Sequence, residues 1–162
     1  MAIRYLKIVL VVLVALEGLL YALQNIVNLD AAYQAVLYVV SMQDHSIYPA
    51  SLGPSFENPV FVWTFLAVIV SGEILVGLIA SKGAWNLWTS RNAAAVEFNA
   101  MKTYAILGCG LAMVVWFGLF NVVAGAYFQM WQTAAGALSL EGAFQYGGLS
   151  ALIMLFINMA DD

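Results

Sequence analysis

Four apolar runs, each long enough to cross a lipid bilayer, constrain this chain more than any other feature of its sequence. They cover about residues 6–26, 59–80, 104–128 and 142–159. A helix needs about 20 mostly apolar residues to span the hydrocarbon core. The strands of a membrane barrel would alternate apolar and polar residues over about ten positions, and these runs do not alternate. The runs predict an all-α membrane protein, a four-transmembrane-helix bundle that forms a single domain over residues 1–162.

Composition excludes a water-soluble domain. The chain is 64% hydrophobic and 9% charged, with a mean hydropathy of +0.92, whereas soluble domains carry about 25% charged residues. The net charge of −4 and the lack of a basic patch outside the loops argue against nucleic acid as a partner.

The few basic residues predict the orientation of the chain. Arg4 and Lys7 precede or begin the first run, and Lys82, Arg91 and Lys102 lie between the second and third. The loops after the first and third runs contain no Lys or Arg. Because basic residues favour the cytoplasmic side, both termini are expected in the cytoplasm, and the protein is expected in a bacterial inner membrane.

The first outer loop contains the segment AAYQAVLYVVSM. It is too apolar to be free in water and too short to cross the membrane, which is typical of interfacial segments. We therefore expect a short interfacial helix in this loop.

Two acidic residues interrupt the apolar runs, Glu17 in the first and Glu73 in the second. Glu17 follows Lys7 by roughly 15 Å of helix, and Glu73 precedes Lys82 by roughly 13–14 Å, at about 1.5 Å per residue. Because consecutive spans run antiparallel, both carboxyls are predicted near the membrane midplane. Each costs about 2.5–3.5 kcal/mol there.

Two roles are open for these acids. In the first, both are neutral carboxyls that hydrogen-bond each other, or nearby Ser71, Tyr21 or Asn121, and fix the helix register. In the second, an acid faces a partner subunit, a quinone pocket or a proton path. The candidate polar residues within the membrane are Glu17, Glu73 and Asn121.

Small and aromatic residues predict contacts of the helices. In lipid, helices associate where small side chains let the backbones approach closely, and aromatic residues concentrate at the membrane–water interfaces. An outer aromatic patch could also hold a lipid or quinone tail. The predicted packing glycines are Gly108, Gly110, Gly118, Gly125, Gly147 and Gly148, and the predicted interface aromatics are Trp85, Trp88, Trp116, Tyr127, Phe128 and Trp131.

No pattern of catalytic or cofactor-binding residues is present. The chain has one His, His45, and one Cys, Cys109, which is too few for a haem, a zinc site or a thiol pair. Gly-rich phosphate loops and a Ser-His-Asp set are missing as well. We expect no enzyme, no metal, no cofactor other than bound lipid, and no soluble substrate.

Several stretches resemble one known family: YVVSMQDHSIYP, the Gly-Glu pair of the second run, EFNAMKTYAILGCGLAMVVWFGLF, AYFQMWQT, EGAFQYGG and the terminal Asp-Asp. The family is one of small bacterial integral membrane proteins of unknown function. The resemblance runs from about Asn28 to the C terminus, and its most specific parts are Glu73, Phe98 with Lys102, Trp116, and Met130–Gln132. It implies four helices and no reaction. The chain departs from the family pattern at Ser41–Asp44 and just before Pro59.

These features favour a non-catalytic accessory subunit of a larger inner-membrane complex, with other membrane proteins and phospholipid as partners. A respiratory or photosynthetic electron-transfer assembly is the expected host, and the subunit would stabilise helix packing and hold lipid or a quinone tail. The alternative is a small proton-coupled transporter or channel that uses Glu17 and Glu73.

Overall fold

The computed structural model describes all 162 residues and contains helices without strands. Four helical segments are long and apolar enough to cross a membrane, which confirms the prediction of an all-α protein with four spans. The helices are α1 (Ala2–Val27), α2 (Leu29–Val40), α3 (Pro59–Thr89), α4 (Ala95–Ala100), α5 (Thr103–Met113), a π-helix that continues α5 (Val114–Tyr127), a 3-10 turn (Met130–Gln132) and α6 (Ala134–Asn158).

Two of the helices begin where a polar side chain caps them. Thr133 accepts a hydrogen bond from the Gly136 N–H at 3.1 Å, so α6 starts well before the apolar run at 142. Asn58 caps α3 in the same way, with Pro59 as the first helical residue. The apolar runs therefore mark the part of each helix suited to lipid and underestimate its full length.

The spans pack in a sequential order. α1 contacts α3 along most of its length, α3 also contacts α5, and α5 contacts α6. Their shared centre is an apolar cluster that includes Val14 of α1, Val76 of α3, Cys109 of α5 and Ile157 of α6. Cys109 is fully buried there as a small packing residue.

The second half of the third span is a π-helix, in which each N–H bonds the carbonyl five residues earlier. The Phe128 N–H donates to the Val123 carbonyl at 3.0 Å in this way. π-helices are rare and mostly one turn long, and they are frequent at functional sites. Because the wider turn changes the residue period after Val114, side chains beyond it no longer follow the 3.6-residue pattern of α5.

Three of the six predicted packing glycines lie at close helix contacts. A Cβ added at Gly108 would be 2.8 Å from the backbone of α3, one at Gly125 would be 3.1 Å from a side chain of α6, and one at Gly147 would be 3.4 Å from the backbone of the π-helix. An added Cβ would separate the helices at Gly108, whereas it would need only a small shift of a leucine side chain at Gly125 and would make an ordinary van der Waals contact at Gly147.

The other three glycines lie away from close contacts. A Cβ at Gly110 or Gly118 would meet nothing nearer than 3.8 Å or 3.9 Å, and one at Gly148 would meet nothing within 4 Å. Gly118 follows the start of the π-helix at Val114, so it no longer continues the helical face of Gly110.

The two ends of the bundle have distinct contents. The start of α1, the α3–α4 connection and residues 159–162 lie together at one end, since Arg4 donates to the carbonyls of Arg91, Ala93 and Asp162. The opposite end contains α2, the loop 41–58 and the turn before α6. A short helix thus occupies the first long loop, while its depth in the membrane and the compartment of the termini stay predictions.

Candidate functional site

A close backbone contact lies where α1 crosses α3. A Cβ on Gly18 would be 2.7 Å from the Glu73 carbonyl oxygen and 2.9 Å from the Gly77 nitrogen, and one on Gly77 would overlap Leu19. Glycine on both helices lets the two backbones touch. This crossing fixes the position of Glu73, which begins the same turn of α3.

Glu73 is 1% exposed and accepts a hydrogen bond from the Asn25 amide nitrogen at 2.9 Å. The two acids do not bond each other, and Glu73 does not bond Ser71, Tyr21 or Asn121. These expected partners were wrong because Ser71 faces outward from α3, whereas Asn25 extends from α1 toward the carboxyl.

Glu17 lies on the same helix face as Tyr21 and Asn25, each one turn apart. Its carboxyl is half-buried and has no hydrogen bond within the chain. The Tyr21 hydroxyl donates a hydrogen bond to the Tyr146 hydroxyl across to α6, and the two rings are tilted against each other with centroids 5.2 Å apart. Both rings pack edge to face on Trp116 with centroids 6.0 Å apart. α1 therefore carries a polar row that faces the inside of the bundle.

Two other polar residues lie apart from the acids. Asn121 donates to the Trp116 carbonyl at 3.2 Å, so it bonds the turn of its own π-helix. Ser150 of α6 is 1% exposed and its hydroxyl has no partner. The sequence interpretation missed Ser150, and its position one turn after Tyr146 was the available signal.

An apolar cavity of about 200 Å³ lies between α2, α3 and the π-helix. Two lining residues, Val68 and Val123, are exposed, so the cavity is open along one side. Its polar lining residues are Asn25 and Ser139, and its apolar ones include Val36, Val40, Phe65, Leu66, Ile69, Leu119, Phe120, Ala124 and Phe128.

A buried cationic cluster closes the end of the bundle that holds both termini. The Asp161 carboxylate bonds Lys7 at 2.6 Å and Lys102 at 2.5 Å, and both ammonium groups also donate to the Met159 carbonyl at 2.7 Å. The three charged side chains are at most 5% exposed. Burial alone would raise the pKa of Asp161, but the hydrogen bonds from Lys102 and Lys7 outweigh it and lower the pKa below its usual range.

Asn99 and Phe98 complete this cluster. Asn99 accepts from the Asp161 N–H at 3.0 Å and donates to the Asp161 carbonyl at 3.0 Å. The fully buried ring of Phe98 lies under the Arg4 guanidinium at 4.5 Å and near the Lys102 ammonium at 5.6 Å. The sequence interpretation used Arg4, Lys7 and Lys102 only as orientation signals and missed that they bind the C-terminal residues.

At the opposite end, one glutamine holds the long loop. The Gln132 side-chain oxygen accepts from the N–H groups of Ile47 and Tyr48 at 2.9 and 2.8 Å, and its amide nitrogen donates to Gln129 at 2.7 Å. Gln129 itself has φ 52°, in the left-handed region. The most specific parts of the family resemblance therefore all bridge separate segments of the chain. These parts are Met130–Gln132, Phe98 with Lys102, Trp116 and Glu73.

The aromatic residues predicted for the interfaces divide into three groups. Trp85 and Trp88 are exposed at the end with the termini, where Trp88 stacks on the Arg91 guanidinium at 4.2 Å. At the other end Trp131 packs on Tyr48, and Tyr127 packs on Phe128. Trp116 and Phe128 are each 2% exposed and belong to the interior.

The arrangement offers a few polar groups and one apolar cavity for binding. No group of three His, Cys, Asp or Glu side chains is placed to hold a metal ion. The polar groups inside the membrane are paired with each other, as Asn25 with Glu73, or stand alone, as Glu17 and Ser150. Asn25 connects the buried acid with the apolar cavity.

The comparisons with known proteins give one match. A family described as predicted small integral membrane protein (DUF2165) matches residues 3–160. No curated protein and no solved structure matches the chain.

Proposed function

The chain belongs to this family of small integral membrane proteins, whose function is unknown, and we propose that it is a non-enzymatic accessory subunit of a larger complex in a bacterial inner membrane. It would stabilise the packing of neighbouring transmembrane helices and hold lipid or a quinone tail between them.

The observation that carries this proposal is one polar face of α6. Glu141, Gln145, Gly148 and Leu152 follow one another at helical spacing, and the three larger side chains are exposed. Gln145 lies about 21 Å along α6 from Met159, at about 1.5 Å per residue, which places it within a hydrocarbon layer about 30 Å thick. Its amide bonds Glu141 only weakly, at 3.4 Å.

An exposed amide beside an uncovered glycine is suited to a partner helix. Side-chain amides hydrogen-bond between membrane helices, and glycine lets a second backbone approach. α6 is also the least covered span, with 22% of its apolar window buried against 39% for α1. We infer that a transmembrane helix of another protein packs on this face, with Gln145 donating to it.

Gentle extraction tests the proposal. The full chain, tagged at its exposed N terminus, is purified in a mild detergent and studied by native mass spectrometry. We expect other membrane subunits at fixed stoichiometry, and we expect Gln145→Leu and Gly148→Leu to lose them. The control Gln34→Leu removes an exposed glutamine of α2 and should keep them. Recovery of the chain alone, or only as copies of itself, would overturn the proposal.

A respiratory or photosynthetic electron-transfer assembly is the proposed host. This choice is supported by the cavity beside Asn25, since such assemblies work with lipid-soluble quinones. The mass spectrum of the same preparation tests it, because the masses of the partners identify the assembly.

Proton-coupled transport is the second candidate, and the unpaired carboxyl of Glu17 favours it. An acid without a hydrogen bond at membrane depth is a candidate proton carrier. The test is proton flux into liposomes that contain the purified chain. Flux that is lost in Glu17→Gln and in Glu73→Gln would support transport, and equal flux in protein-free liposomes would exclude it.

A further inference from the structure

The cavity between α2, α3 and the π-helix has a polar end that its apolar lining does not explain. Asn25 lines the cavity and donates one amide hydrogen to Glu73. An amide nitrogen carries two hydrogens, and the second has no acceptor within the chain. Glu73 is 1% exposed and fixes the orientation of the amide from behind, so it acts as a positioning residue.

The size and lining of the cavity define what can enter it. Its volume of about 200 Å³ exceeds the roughly 150 Å³ that holds a benzene ring in an engineered apolar cavity. Fifteen of its 17 lining residues are hydrophobic, and Phe65, Phe120 and Phe128 are among them. It suits one ring with the beginning of an apolar tail, and the open side gives such a tail a way into the lipid.

The surroundings of the polar end discriminate between membrane ligands. Asn25 lies two residues before the end of α1, and a ligand head that reaches it enters a cavity in which 15 of the 17 lining residues are hydrophobic. A charged or zwitterionic phospholipid head would have to give up its hydration there. A neutral ring with a carbonyl oxygen would not, and its oxygen can accept the free Asn25 hydrogen.

We propose that this cavity is a binding site for a neutral, lipid-soluble quinone, whose carbonyl oxygen accepts a hydrogen bond from Asn25 and whose tail leaves through the open side. The site rests on the proposed function in that it gives the subunit a ligand to hold. Its test uses the chain alone, so a failure here and the absence of a partner subunit are separate results.

The experiment measures binding of decylubiquinone to the purified full chain in phosphatidylcholine nanodiscs free of native quinone. Quenching of tryptophan fluorescence reports binding, since Trp63 lies beside α2 with its ring 4.8 Å from Tyr33. We expect saturable quenching. Asn25→Ala should raise the Kd about tenfold, because one hydrogen bond to the ligand is lost. Ala35→Phe should abolish binding, because the added ring fills the cavity.

Two matched controls keep the result interpretable. Gln24→Ala removes the neighbouring amide, which does not line the cavity, and Ala137→Phe adds a ring on the exposed side of α6. Both should keep the Kd, and circular dichroism checks that every variant is folded. Linear, unsaturable quenching that is equal in all variants would overturn the proposal. A phospholipid that stays bound to the protein in mass spectra recorded at saturating quinone would also overturn the proposal, because its acyl chain would then occupy the cavity.

Discussion

Gly18 shows how a single atom decides the contact between α1 and α3. A Cβ at this position would be 2.7 Å from a backbone oxygen of α3, so Gly18→Ala must separate the helices. We expect a loss of about 1–3 kcal/mol of stability, as for other overpacked contacts, measured by thermal unfolding of the isolated chain in detergent.

The matched control is Gly148→Ala on α6, where the added Cβ meets nothing within 4 Å. Alanine favours a helix over glycine by up to about 1 kcal/mol, so this variant should be unchanged or slightly more stable. If both substitutions destabilise equally, the close approach at Gly18 is not what holds the two helices together.

For single residues, the sequence predicted where a side chain lies along its helix better than it predicted which residue that side chain contacts. The position of Glu73 along α3 relative to Lys82 followed from the sequence, because the rise of a helix is constant. Its partner Asn25 did not follow, since the rotation of α1 against α3 depends on the glycine contact between them. The burial of Lys7 and Lys102 was missed because hydropathy treats every lysine as a surface residue.

Among the elements, the segment after α6 depends on one carboxylate. Asp161→Asn would leave two buried ammonium groups without a countercharge, and removal of one partner from a buried ion pair costs about 3–5 kcal/mol. We expect a large fall in the thermal unfolding temperature. Asp162→Asn changes an exposed neighbour and should stay within about 0.5 kcal/mol of the native chain.

The Asp161 carboxylate also predicts that the stability of the folded chain depends on pH. The pKa of Asp161 in the folded chain lies below its usual value of 3.8. Its contribution is therefore fully present above the usual value and is lost as pH falls through the folded pKa. The unfolding temperature should therefore fall as the pH drops below 3.8 and through the lower pKa of the folded chain, and the fall should be smaller in Asp161→Asn. Equal pH profiles for the two proteins would contradict the pairing.

Element boundaries were the least predictable part of the fold. Apolar runs located all four spans, but the starts of α3 and α6 depend on capping by Asn58 and Thr133. A count of apolar residues does not distinguish the π-helix from an α-helix. The π-helix nevertheless decides which face Gly118 and Trp116 present.

For the whole molecule, the topology is the prediction that labelling can check. Cys109 is the only cysteine and is fully buried, so it should not react. With both termini in the cytoplasm, Ser51→Cys should react with a membrane-impermeant maleimide on spheroplasts of intact cells, and Asn92→Cys only after the membrane is opened. The reverse pattern would invert the topology. Both positions are exposed, so access through the bundle does not confuse the result.

The bond between Lys7 and Asp161 also has a consequence for how the chain is made. It joins residues 154 positions apart, and a ribosome releases the first long before the second. During synthesis Lys7 cannot bind Asp161 until the last residues are made, whereas the contact of α1 with α3 at Gly18 can form as soon as α3 has emerged. The bond between Lys7 and Asp161 is therefore among the last to form, and it forms only after every helix between the two residues has been made.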